Sequence, residues 1–323
     1  MLISLAMAAC VLSPSNTRLV HRALAGWQFT RTRELRLAEA PPPLILFADA
    51  ECHHTLRVSP RGPFRLGRFR LRMTSRAHHG ELALPNGARL PLAGMAFASL
   101  YSPADSAFFF AALPEVWAAD PAYRDDSEDW EKFLLPVTIH ELTHTRQMRA
   151  ILPSIKAAAI ALRLKAVDDD ILQPRFGADS AFSRAVLAER DLLLAAASAR
   201  TSNERLTLIR RALVSRADRH ARFFTGADSG FAELETRFLD MEGVAQWASF
   251  RHELQFGPGR PTPPVAVDRI RGNRKWWSQE YGIALYLALD AVVPQWQTEV
   301  FPPRIASAFD LLTRATKGKT GLP

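Results

Sequence analysis

The chain has few of the features that assign a protein to a class at a glance. Its 323 residues include only two cysteines, Cys10 and Cys52, so at most one internal disulfide is possible. After the first dozen residues no run of about 18 uncharged apolar residues occurs, which excludes a multispanning membrane protein. There is no internal repeat, and no low-complexity tract beyond the alanine richness of 181 to 200. The net charge of +8 comes almost entirely from arginines spread over 17 to 22, 31 to 36, 61 to 76 and 201 to 222. No compact basic block interleaved with aromatics is present. A nucleic-acid groove needs such clustering, so these arginines read as solvated faces and no nucleic-acid partner is expected. Disorder is excluded too, because 48% hydrophobic against 23% charged residues supports a substantial core. The length suits one large domain or two ordinary ones.

The first residues, MLISLAMAACVL, are apolar and end in small residues before Cys10. Residues 1–12 therefore read as a possible export signal, or as a lipoprotein-like segment with Cys10 as the lipid-anchor position, although a positive n-region is missing. Export would place the protein in the periplasm, in the envelope or outside the cell; composition alone is equally compatible with the cytoplasm. If Cys10 is kept in an oxidising compartment, it can pair with Cys52; if it is lipidated or removed, Cys52 is a lone thiol.

Two composition regimes follow. Residues 13–125 read as a β-rich N-terminal subdomain: PPPLILFADA ends an apolar run, HGELALPNGARLPL alternates around Asn86-Gly87, and MAFASLY and AFFFAAL flank the turn SPADS. The Asn86-Gly87 pair predicts a tight hairpin with positive φ at both turn positions. Residues 126–323 read as a helical subdomain. Helices are expected from Pro136 to Leu152 and over 153–166, 179–199, 202–222, 230–254, 276–292 and 303–316, with GPGRPTPPV at 257–265 as a loop. The fold class expected is α+β, a small mostly antiparallel sheet with a larger helical lobe.

What stands out is PVTIHELTHTRQ, from Pro136 to Gln147. On a helix His140 and His144 lie one turn apart, so both imidazoles leave one face and can take two corners of a tetrahedral zinc, with Glu141 placed to act on a water. Composition yields roughly 0.01 accidental matches to this HExxH pattern in a chain of this size. A catalytic zinc needs a third protein ligand. Gln147 and Ala150 stand where a metzincin has glycine and histidine, which excludes that class. The candidate is Glu242 in FLDMEGVAQW, on the edge of a stripe formed by Phe238, Met241, Ala245 and Ala248, where a carboxylate needs a compensating charge or metal. Gly243 lets a partner helix approach, and Gln246 could orient a ligand. Glu280 is the alternative, with a buried arginine salt bridge as its ordinary explanation. The Asp168 to Asp170 cluster reads better as a solvated loop or helix N-terminus.

HELTH followed by the distant EGVAQW resembles the gluzincin metallopeptidases, whose second metal helix carries a Glu-Gly-x-Ala segment. The resemblance covers the two metal helices, about 40 residues. The 98-residue gap from His144 to Glu242 departs from the family's short spacing and implies an inserted helical hairpin at about 153–229. The chain as a whole also resembles an uncharacterised group of bacterial zincin-like proteins, which implies no substrate.

The function implied is a zinc-dependent peptidase acting on a peptide or protein: zinc on His140, His144 and Glu242 acidifies water, and Glu141 is the general base. Tyr281 and His252 are the candidate oxyanion donors. A sheet edge formed by MAFASLY or AFFFAAL could bind an extended substrate, while Phe108 to Phe110 also read as ordinary hairpin core. His53-His54 and His78-His79 are expected at the surface or a cleft rim. The alternatives are a non-catalytic binding or scaffold protein with a zincin fold, and a zinc hydrolase of non-peptide amides or esters.

Overall fold

The computed structural model describes residues 10–101, 106–123, 129–271, 275–303 and 305–317. Sheet and helices occupy separate stretches of chain, so the α+β reading holds. The chain divides into two compact units, one of residues 1–33 and 38–145, the other of residues 34–37 and 146–323. The division falls inside a helix that carries HELTH, at residues 145 and 146, later than the boundary at 125 drawn from composition.

In the first unit helix α1 (Pro14–Phe29) begins where Ser13 accepts the Asn16 N–H and Pro14 supplies a first-turn residue with no N–H to satisfy. The region from 13 onward was expected to be β-rich, yet it opens on this helix, because a capped start and a buried stripe of Leu19, Val20, Ala23, Leu24 and Trp27 outweigh the strand signals further on. Among the described residues eight strands follow: β1 (Leu44–Ala48), β2 (Cys52–Val58), β3 (Phe64–Leu66), β4 (Phe69–Ala77), β5 (Glu81–Ala83), β6 (Arg89–Pro91), β7 (Ala96–Tyr101) and β8 (Ser106–Ala112). Six of them form one sheet in the order β3-β4-β2-β1-β8-β7, antiparallel except for the β1–β8 pair. The strand β1, LILFA, is a continuous apolar run because it lies inside the sheet and is buried throughout. Beside it Phe108, Phe109 and Phe110 are core residues, so β8 is an inner strand and β7 is the edge. Of the turn SPADS, residues 102 to 105 lie outside the described residues.

The two short strands β5 and β6 form a separate hairpin. Its turn differs from the expected one: the Gly87 N–H donates to the Leu84 carbonyl, the Ala88 N–H to Asn86 Oδ1, and of Asn86 and Gly87 only the glycine has positive φ, +86°. Pro85 fixes the turn one position earlier, and Gly87 alone supplies the left-handed residue. A disulfide joins Cys10 to Cys52 at the start of β2, which is the second of the uses foreseen for Cys10. The unit continues through α2 (Pro114–Ala119) into α3 (Trp130–Ala161).

Helix α3 is longer than expected at its start and merges two predicted helices. Asp129 Oδ1 accepts the Lys132 N–H, 3.1 Å, and sets the beginning six residues before Pro136. At the other end the helix passes through Pro153 to Ala161. A proline removes one helical hydrogen bond, but burial of Ile151, Ile155 and Ala158 holds the helix across it.

The second unit contains the rest of α3, α4 (Leu172–Phe176), α5 (Ser180–Ser198), α6 (Ser202–Phe223), α7 (Phe231–Phe256), α8 (Pro263–Arg271), α9 (Trp277–Val292), α10 (Gln297–Val300) and α11 (Ala308–Lys317). Helices α5 and α6 form the hairpin, capped by Asp179 and Thr201. The loop read at 257–265 is shorter than expected, since two prolines open α8 at Pro263, where their missing N–H groups cost nothing. The last helix starts at Ala308 rather than 303, after Pro302 and Pro303. At the centre α7 and α9 touch through glycines: a Cβ on Gly243 would lie 2.5 Å from Tyr286 Cδ2 and 2.7 Å from the Gly282 carbonyl oxygen. The residue expected to admit a partner helix does so, and the partner is α9.

Candidate metal centre

The HELTH segment occupies the middle of α3. Ile139 and Leu142 are fully buried, and Thr143 returns its hydroxyl to the Ile139 carbonyl at 2.8 Å, so the helix is seated by its apolar face. One turn apart, His140 and His144 are 7% and 4% exposed. Their rings meet edge to face, with centroids 4.5 Å apart at 88°, and the two Nε2 atoms are 2.9 Å from each other. Glu141 is only partly buried, and its carboxylate completes a group whose ligand atoms all lie within 4.8 Å of one another. His140, Glu141 and His144 could therefore hold a metal ion.

The donor set fits zinc. Two imidazole nitrogens on a tetrahedral zinc at about 2.05 Å stand roughly 3.3 Å apart, so the observed pair needs to open by only a few tenths of an ångström. One of the facing nitrogens must carry a lone pair, as a metal ligand requires, because two N–H groups could not meet at this distance.

The other candidates fall in the second unit. Glu242 is buried, 2% exposed, on α7 beside Gly243, with Gln246 buried one turn on. Within that unit Gln147 Nε2 donates to the Asp240 carbonyl at 3.4 Å, so the last part of α3 touches α7. Asp240 in turn accepts the Ala308 N–H on its Oδ1, 2.8 Å, which anchors α11 to the same helix. His252 is buried near the end of α7 with its ring 5.1 Å from Phe256.

Glu280 has the ordinary explanation. It accepts from Arg271 Nε on both oxygens at 3.0 Å, and Arg190 adds a weaker contact at 3.5 Å. The acidic cluster has one as well: Asp170 Oδ1 accepts the Ser278 N–H and hydroxyl, at 3.2 and 2.9 Å, at the start of α9.

Tyr281 is placed differently from the oxyanion donor it was expected to be. Its hydroxyl donates to Glu189 Oε2 at 2.9 Å, inside a buried charge cluster. There Arg219 grips Glu189 through Nε and Nη2, at 2.9 and 2.7 Å, and Glu235 through Nη1 at 2.6 Å; His220 and Arg216 reach Glu235 as well. Burial pushes the Tyr281 phenol well above its usual range, and the Glu189 charge pushes it further. Burial would also raise Glu235, but Arg219, His220 and Arg216 outweigh it and hold this carboxyl well below the usual range.

Among the described residues the histidine pairs in and beside the sheet belong to no group of three or more converging ligand side chains. Adjacent residues leave opposite faces: His53 is half-buried, while His54, expected at the surface, is fully buried between Asp49 and Ser75, with Nε2 2.9 Å from Asp49 Oδ2 and Nδ1 2.8 Å from Ser75 Oγ. Burial became acceptable because both ring nitrogens are satisfied. His78 Nε2 reaches the Asp49 carbonyl at 3.0 Å, and His79 is exposed.

The fold and this triad define an α+β protein with a helix able to bind a metal, and no helix among the described residues is long and apolar enough to cross a membrane. Comparison with family models, with curated proteins and with solved structures finds no match to this chain.

Proposed function

We propose that the protein is a zinc-dependent metallopeptidase of the gluzincin kind. The observation that carries this reading is the convergence of His140 Nε2 and His144 Nε2 on one face of α3, with the Glu141 carboxylate beside them and still reachable from water. His140 and His144 would hold the zinc, with Glu242 as third ligand. Support for Glu242 is its burial as a carboxylate on α7; the group of ligand atoms that could hold a metal among the described residues is His140, Glu141 and His144. Once bound, zinc supplies Lewis acidity, acidifying a water and polarising an amide carbonyl. Glu141 takes the proton of the attacking water as the new C–O bond forms, then delivers it to the amine nitrogen as the C–N bond breaks. Tyr281 has no part in this scheme, since Glu189 holds its hydroxyl. The Cys10–Cys52 disulfide supports an oxidising, exported location.

The test is zinc content by elemental mass spectrometry together with cleavage of a peptide library. Wild type is expected to carry about one zinc per chain, Glu242→Ala markedly less, and Glu141→Gln the full amount with cleavage reduced about 10²- to 10⁴-fold. Unchanged zinc in Glu242→Ala would move the third ligand elsewhere, and undiminished cleavage by Glu141→Gln would remove it as the base. A chain that takes up no zinc even when it is supplied would make the 2.9 Å histidine contact a metal-free hydrogen bond and favour a scaffold role.

A further inference from the structure

Arginines that look scattered along the chain are gathered by the sheet. Alternation along β4 sends Arg70, Arg72 and Arg76 to one face, while Leu71 and Met73 go to the other. Pairing then sets Arg72 directly opposite Arg57 of β2, Arg70 directly opposite Arg65 of β3, and Arg76 opposite His53. All five arginines are exposed, and none has a salt bridge or side-chain hydrogen bond among the described residues. The reverse face is filled by Leu56, Leu66 and Leu71, and α1 lies along it, with His21 stacked on Phe64.

Like charges directly opposite one another weaken a strand pair, so two such pairs are a cost the fold does not require. Burial first, then the positive neighbours His78 and Arg76, hold His53 below its ordinary range, in line with a positive field over this face. We propose that the β3-β4-β2 face docks on an anionic lipid surface, its guanidinium groups engaging headgroup phosphates. Guanidinium is the side chain suited to that partner, being permanently charged and able to bond phosphate through two N–H groups.

Two observations favour a bilayer over nucleic acid. The face carries no Phe, Tyr or Trp on which bases could stack, and three strands are broader than the two-stranded ribbon a major groove admits.

The experiment is vesicle flotation of the full chain, comparing vesicles of about 30% phosphatidylglycerol in phosphatidylcholine with pure phosphatidylcholine at about 0.1 M salt. Three proteins are needed: wild type, Arg57→Gln/Arg72→Gln, and Arg200→Gln/Arg211→Gln, which removes the same charge from exposed arginines of the second unit. Wild type should float only with the anionic vesicles. Each arginine near such a surface is worth roughly fivefold, so the face variant should lose about 25-fold in partition and the control variant less than about twofold. The thermal midpoint of the face variant should stay level or rise, since an opposed like-charge pair is removed, which separates lost docking from lost folding. Equal loss in both variants, or no flotation of wild type, would overturn the proposal. So would binding of a short DNA duplex by wild type that ignores the vesicles, which would make this a nucleic-acid face.

Discussion

Arg219 sits between Glu189 and Glu235, with Tyr281, His220 and Arg216 completing the set, whereas on α3 His140 and His144 face each other with Glu141 alongside. Both clusters are polar and mostly buried, with Glu141 partly exposed. Around Arg219 each charge meets its opposite, and a group closed on itself in this way ties α5, α6, α7 and α9 together. On α3 the groups brought together are of one kind, ligand atoms converging on a point where a cation would serve all of them. Kind of partner, more than burial, separates a scaffold from a site.

The comparison breaks first at Arg219. Arg219→Met should lower stability by about 3–5 kcal/mol, because it leaves Glu189 and Glu235 buried without their cation. Urea unfolding measures this, and a loss under about 1 kcal/mol would mean the cluster is not the scaffold described. In contrast, Glu141→Gln should leave the urea midpoint near that of wild type while, on the proposed mechanism, cleavage falls about 10²- to 10⁴-fold.

Acid titration sharpens the contrast. The folded carboxyl of Glu235 is depressed relative to an unfolded value near 4.5, so the folded state binds fewer protons than the unfolded one below that pH. Its contribution is fully present above about pH 4.5 and is lost as the pH falls further. Arg219→Met removes that contribution, and the stability gap between wild type and variant should therefore narrow from pH 5 to pH 3 by about 1–3 kcal/mol. A constant gap over this range would argue that the pairing does not depress the carboxyl.

The smallest effect concerns the helix contact beneath Glu242. Gly243→Ala should cost about 1–3 kcal/mol, since its Cβ meets the Gly282 backbone and the Tyr286 ring, and this exceeds the roughly 1 kcal/mol gained in helix propensity. If Glu242 holds zinc, the same change should weaken zinc retention, read by competition with a chelator. A variant as stable as wild type would show that α7 and α9 can separate at little cost.

Much of the helical part was legible because its signals are local. The expected spans 179–199, 202–222, 230–254 and 276–292 lie within two residues of α5, α6, α7 and α9 at each end, following the 3.6-residue stripe, with Asp179 and Thr201 as caps for α5 and α6. The histidine pair was legible for the same reason, since four residues make one helical turn. Pro153 misled the reading because its cost is local while the burial that outweighs it is tertiary. His54 misled it because its partners are Asp49 and Ser75, the second of them on another strand. Tyr281 was out of reach altogether: its partner Glu189 is 92 positions away.

By itself, then, the sequence determined the α+β class, the spans of α5, α6, α7 and α9 and the facing of His140 with His144, all of which follow from periodicities of two and 3.6 residues. Tertiary structure decided what each polar group does. It gave Glu280 to Arg271 and Tyr281 to Glu189, joined Cys10 to Cys52, and turned spaced arginines into one basic sheet face. The physical reason is that a polar side chain's role is set by its nearest partner, and strand register and helix packing choose that partner across separations that no local pattern spans.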